Sequence, residues 1–204
     1  MVLLDAVSPL ANWANFYVIT GSSAGALIGL MFVVITLVQG RLQQGQVGGQ
    51  GLGAFNTPTI VHFSAVLVIS AMLSAPWPAL WQAALLLGLS GVALLAYAVI
   101  VARRLRRFPQ YTDYEPVMED WLFYAVIPLV AYATIALAGI FLPGNSALAL
   151  FAIAAVMILL LLAGIHNAWD IVTYMTIMRP TATAEPAEES EPAEESEPKE
   201  VKQD

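Results

Sequence analysis

Apolar positions gather into five unbroken stretches along the chain, roughly 16–39, 57–75, 79–102, 121–142 and 146–169. Charged and strongly polar positions fall between them, and no stretch carries Asp, Glu, Lys or Arg in its central part. A helix needs about 20 mostly apolar residues to cross a hydrocarbon core about 30 Å thick. Each run meets that length to within a residue or two. Lipid offers no partner to an open backbone N–H or C=O, so each run is predicted to be a helix. A β-barrel would alternate polar and apolar residues over segments of about 10 residues, and these runs do not alternate. The expected fold class is an all-α, polytopic bundle of five transmembrane helices in residues 1–180.

The first run reads as a retained span. Met1 to Asn15 contains no Lys or Arg, and the run ends in Val38-Gln39-Gly40-Arg41, unlike a small-residue cleavage site. Leu10, Trp13 and Phe16 before it are expected in the membrane interface, where aromatic rings settle. Two connections are short and made of turn formers: Ala75-Pro76-Trp77-Pro78 and Pro143-Gly144-Asn145. They predict that spans two and three are antiparallel neighbours, as are spans four and five. Gln39 to Asn56 is rich in Gly and Gln and reads as an irregular loop. The third loop opens with Arg103, Arg104, Arg106 and Arg107 and turns acidic at Asp113, Glu115, Glu119 and Asp120.

Charge placement adds an orientation. With five spans, all eight Lys and Arg fall in the first loop, the third loop and the C-terminal tail, which share one side. Basic residues are retained in the cytoplasm. The expectation is N-out/C-in, multi-pass, in the cell (plasma or inner) membrane, with a cytoplasmic C-terminus. The four arginines of the third loop are expected to contact anionic lipid headgroups, each interaction being worth roughly 1 kcal/mol. Residues 181–204 hold nine acids and two lysines, which account for the whole net charge of −7. There Glu185-Pro186-Ala187-Glu188-Glu189-Ser190 is repeated as residues 191–196. Like charges and regular prolines predict a disordered acidic tail, open to a cytosolic partner.

Composition agrees with the pattern. Hydrophobic residues make up 59% and charged residues 11%, with a mean hydropathy of +0.73. Soluble domains carry about 25% charged residues, so an ordinary water-soluble enzyme and a nucleic-acid binder are excluded for the bulk of the chain. Cysteine is absent, which removes disulfides, thiolate metal sites and cysteine nucleophiles. No nucleotide-binding or hydrolase motif occurs, and no cofactor is expected.

Two constellations carry candidate chemistry. Gly21, Gly25 and Gly29 are four apart in span one and share a helix face with Ser22 and Thr36. Small residues let helices in lipid approach closely, so this face predicts either a packing seam or a pore lining. The second lies at the end of span five, where His166, Asn167, Asp170, Thr173 and Tyr174 occupy an arc of about 120°. His166 and Asp170 are i and i+4, so their side chains can meet. His62, near the start of span two, falls at a similar depth, as do Glu119 and Asp120. Ionisable groups at a bundle's membrane edge are functional candidates, and histidine changes charge near neutral pH. His62, His166 and Asp170 therefore form a candidate proton or metal site, beside the plainer role of a hydrogen-bonded cap that holds helices in register. Pro128 is expected to kink or locally loosen span four.

The leading reading is a small oligomeric pore or transport-type protein, most simply a cyclic homo-oligomer. Its path would follow the glycine face or the space between subunits, with His62, His166 and Asp170 at the inner mouth. A second reading is a non-catalytic scaffold or regulatory subunit that binds another membrane protein. A third is a membrane enzyme with an interfacial His/Asp site.

Overall fold

The computed structural model describes residues 9–43, 52–107 and 118–177. The acidic tail and most of the residues joining the first two and the middle pair of spans lie outside them. A short 3-10 turn, Pro9–Trp13, leads into α1 (Ala14–Gln43). Then follow α2 (Leu52–Ser74), α3 (Leu80–Arg107), α4 (Met118–Phe141) and α5 (Ser146–Ile177). All five are long and apolar enough to cross a membrane, as an integral membrane protein requires. No strand occurs among the described residues.

Helices extend further than the apolar runs. α1 continues to Gln43 and α2 starts at Leu52, inside the segment expected to be irregular. Arg103–Arg107 is the last stretch of α3 rather than the opening of a loop. Arginine is a good helix former, and cations at a helix C-terminus face the negative end of its dipole.

Both expected turns form. After α2, Trp77 Nε1 donates to Met72 O at 2.6 Å and closes the turn over the helix end. After α4, the amides of Leu142, Gly144 and Asn145 bond back to Ala138 and Phe141, and the Asn145 side chain accepts from Leu148 N to cap α5. These two turns lie at one end of the bundle. At the other, the arginine end, Arg106 sits 5.9 Å over the Trp121 ring, which joins the end of α3 to the start of α4.

Sequential hairpins do not dictate the main contacts. α3 packs chiefly on α4 and only lightly on its hairpin partner α2. α2 lies mainly against α1 and α5, and α5 against α4, so the lateral order is α1, α2, α5, α4, α3. The core between them is made of Val66, Ile69, Leu87, Ile135, Leu150, Ile153, Met157 and Leu160, all fully buried. Leu10, expected at the interface, is turned into this core, and Trp13 stands edge-on to Phe151 of α5, with centroids 4.8 Å apart. The outer faces of α1 and α3 are apolar and bare, with Ile19, Leu30, Phe32, Leu85 and Leu89 exposed. Such surface suits acyl chains and not water.

Of Gly21, Gly25 and Gly29, only Gly21 meets another helix closely within the subunit. A Cβ on Gly21 would stand 2.9 Å from Ser70 Cβ, so α1 and α2 approach closely there. Thr20 and Ser70 hydroxyls add a bond between the two helices at 3.1 Å. Gly25 and Gly29 have nothing within 4 Å of an added Cβ. The tightest seam lies instead between α3 and α4. A Cβ on Gly139 would be 2.6 Å from Gly88 Cα and 2.9 Å from Ala84 O, and one on Gly91 would strike the Ala136 backbone. Missing side chains at these points let two backbones touch, which is how helices gain contact in lipid.

Pro128 produces a wider turn rather than a sharp break. Residues Leu122–Val126 wind as a π-helix, and Ile127 N–H bonds back five residues to Leu122 O. A proline lacks the amide that would bond to the carbonyl four residues earlier, and its ring crowds that carbonyl. Widening the preceding turn relieves both problems without interrupting α4.

Candidate functional site

Polar side chains enter the bundle from the arginine end. At its rim, His166 Nε2 lies 3.3 Å from Glu119 Oε1 and 3.2 Å from Asp170 Oδ2. Asp170 comes from the next turn of the same helix and Glu119 from the first turn of α4. The imidazole is also stacked on Phe123, with centroids 3.6 Å apart and rings 20° from parallel. Phe123 is part of the π-turn, so that local winding sets both the ring beneath His166 and the carboxylate beside it. His166 is about one quarter exposed, and Glu119 and Asp170 are 63% and 46% exposed. Both carboxylates are within ion-pair reach, yet neither is aligned for a hydrogen bond to Nε2. Exposed pairs of this kind contribute little to stability, about 0–1 kcal/mol, so this cluster is poorly explained as a structural clamp.

One residue on, Asn167 is fully buried, and neither its amide nitrogen nor its carbonyl oxygen finds a partner among the described residues. It ends the apolar stripe Ile153, Met157, Leu160, Ala163 and Gly164, by which α5 faces the core. Gly164 is the point where the Phe63 ring of α2 presses on α5. In antiparallel helices that contact puts Asn167, three residues further along, opposite the turn of α2 that holds Thr59. Thr59 is also fully buried.

His62, next to Phe63, is 1% exposed. Its Nδ1 lies 2.7 Å from the Tyr132 hydroxyl of α4, while Nε2 has no partner among the described residues. A phenol is the stronger donor here, so the hydroxyl donates to Nδ1 and the ring proton sits on Nε2, an assignment by hydrogen-bond logic. Each unpartnered buried polar group costs about 1–3 kcal/mol. Apolar residues at positions 62 and 167 would avoid that cost, so the polar choice needs a reason beyond packing.

The structure thus joins Asp170 to His166, and adds Glu119 to them. It gives His62 a different partner, Tyr132, and no described contact links the two imidazoles. No group of three metal-ligating side chains arranged to hold an ion is found among the described residues. Thr173 spends its hydroxyl on the carbonyls of Trp169 and Asp170 in its own helix, and the side chain of Tyr174 lies outside the described residues. Of the glycine face, Ser22 and Thr36 are exposed, and the Thr36 hydroxyl bonds to Val33 O. Arg103, Arg104, Arg106 and Arg107 are exposed on the last turns of α3, with Leu105 between them buried against Tyr124 and Ala125. Sequence reasoning missed Tyr132, whose hydroxyl carries no charge and sits in an unbroken apolar run. A tyrosine in mid-span was the available signal, because a phenol in lipid needs a partner.

Comparison with protein-family models, with curated proteins and with solved structures finds no match to this chain.

Proposed function

We propose that the protein is a small transport-type or pore-forming membrane protein that acts as a homo-oligomer, N-out/C-in in the cell membrane. The arginine end is then cytoplasmic, and Arg103, Arg104, Arg106 and Arg107 lie against anionic headgroups. One observation carries the reading. A partly exposed rim of Glu119, His166 and Asp170 leads to Asn167 and the His62–Tyr132 pair, buried inside a mostly apolar bundle. Ionisable and polar groups placed this way in a membrane bundle serve solute or proton pathways by default. The test is flux from proteoliposomes of the purified full chain. Flux that falls on His166→Ala supports the reading, and wild-type protein that passes no more than empty liposomes removes it.

A second reading, a scaffold or regulatory subunit, draws on a different feature. Beyond Tyr132, toward the turn end, the core is closed by Ile69, Leu73, Ile135, Leu142, Leu150 and Ile153, all buried. Tyr17, Thr20 and Ser70 are the polar side chains buried on that side, and no hydrogen bond among the described residues links them to Tyr132. Absence of flux together with a membrane protein that co-purifies in fixed ratio would favour this second role.

A further inference from the structure

The rim explains how solvent reaches the bundle's end, but not why Asn167 and His62 are polar. Three atoms there are without partners among the described residues: His62 Nε2, Asn167 Nδ2 and Asn167 Oδ1. Both residues are at least nine-tenths buried. They come from facing helices, within about one turn of each other in height, since Phe63 and Gly164 mark where those helices touch. With the Tyr132 hydroxyl donating to Nδ1, His62 offers a donor at Nε2. Asn167 offers a donor and an acceptor.

We propose that His62 and Asn167 form an internal binding site for a small uncharged molecule that both donates and accepts hydrogen bonds, water being its smallest member. The site fills from the Glu119–His166–Asp170 rim, because Val66, Ile69 and Ile135 close its other side. Its occupant is uncharged because the buried groups around it are neutral: the phenol of Tyr132, the hydroxyl of Thr59, the ring of Phe63 and the amide of Asn167. No Asp, Glu, Lys or Arg is among the described buried residues, so an ion at this depth would have no countercharge. Buried water ordinarily makes two to four bonds to such groups, and the three open atoms supply that number. As a statement of what binds, the inference stands on this geometry. As a statement of what passes, namely a neutral solute of about water's size, it rests on the transport reading above.

Water itself is the probe. The full-length protein, ¹⁵N-labelled at histidine, asparagine and isoleucine, is reconstituted in lipid bilayers, and magnetisation transfer from water is followed by solid-state NMR. The expected result is transfer to His62 Nε2 and to the Asn167 side-chain amide at a rate comparable to that at His166. Transfer that reaches His166 but leaves both buried groups as slow as the amide of Ile135 would overturn the proposal. Asn167→Leu gives the second arm. Loss of transfer to His62 in that variant, with the His166 signal retained as proof of fold, supports a shared occupant, and unchanged transfer to His62 refutes it. A hydrated site in protein that shows no flux would remove the transport reading and leave this site in place.

Discussion

The imidazole of His62 and the hydroxyl of Tyr132 meet at 2.7 Å across two helices, α2 and α4, that share little other contact. The bond therefore ties together the two halves of the bundle, α1–α2 and α3–α4, which are otherwise joined mainly through α5. Tyr132→Phe keeps the ring and removes the donor, leaving Nδ1 buried and bare. The expected loss is about 1–3 kcal/mol of stability, read from denaturant unfolding of the purified protein in bicelles. The double variant His62→Phe, Tyr132→Phe is expected to cost less than the sum of the two single changes, since it removes both ends of the bond. Additive losses would mean that the two side chains are not coupled.

The α3–α4 seam gives a comparison between two glycines that face each other. A methyl group on Gly139 would drive into the backbone of α3, whereas one on Gly88 would reach only to 4.0 Å from Gly139 Cα. Gly139→Ala is expected to destabilise by about 1–3 kcal/mol, the usual cost of overfilling a tight contact. Gly88→Ala is expected to be nearly neutral. Melting temperatures of the two variants test this directly, and equal losses would contradict the described approach.

Gly25 and Gly29 supply a test of assembly. A Cβ added at either position meets nothing within 4 Å in the subunit, so Gly25→Ala and Gly29→Ala are expected to leave the fold intact. If the bare face of α1 joins subunits, the same changes lower the particle mass in detergent toward that of one 21.9 kDa chain. A wild-type particle that already has the mass of one chain would dispose of the homo-oligomer.

Orientation is open to a clean experiment because the chain has no cysteine. Gly144→Cys, in the turn between α4 and α5, is expected to react with a membrane-impermeant maleimide in intact cells. Ser190→Cys, in the acidic tail, is expected to react only after permeabilisation. Labelling of Ser190→Cys in sealed cells would invert the topology and place Glu119, His166 and Asp170 at the outer surface.

The five helices were legible in the sequence because lipid thickness leaves a length signature that needs no partner to read. Their ends were less so. Arg103–Arg107 looked like loop by polarity, but a helix whose apolar part is anchored continues through polar residues of good helix propensity. Pairwise contacts were the least legible. The spacing of Gly21, Gly25 and Gly29 marks a face that, within the subunit, closes on a neighbour only at Gly21, while Gly88, Gly91 and Gly139 make the closer seam without any such repeat on α4. A glycine pattern states which face is able to approach, and the partner's shape decides whether it does. At the site, the i, i+4 pairing of His166 with Asp170 followed from helix geometry alone. The Glu119 contact depended on the winding of α4, and the Tyr132 contact on a reach between helices distant in the chain.

That winding has a consequence of its own. A π-turn is in effect one surplus residue inside a regular helix, and here it lies between Glu119 and the rest of α4. Were the same residues wound as a regular α-helix through Leu122–Val126, everything before them would swing by about 100° around the axis. Glu119 would then point away from His166, with no contacting side chain altered. The carboxylate's aim is thus stored as a phase offset in the backbone.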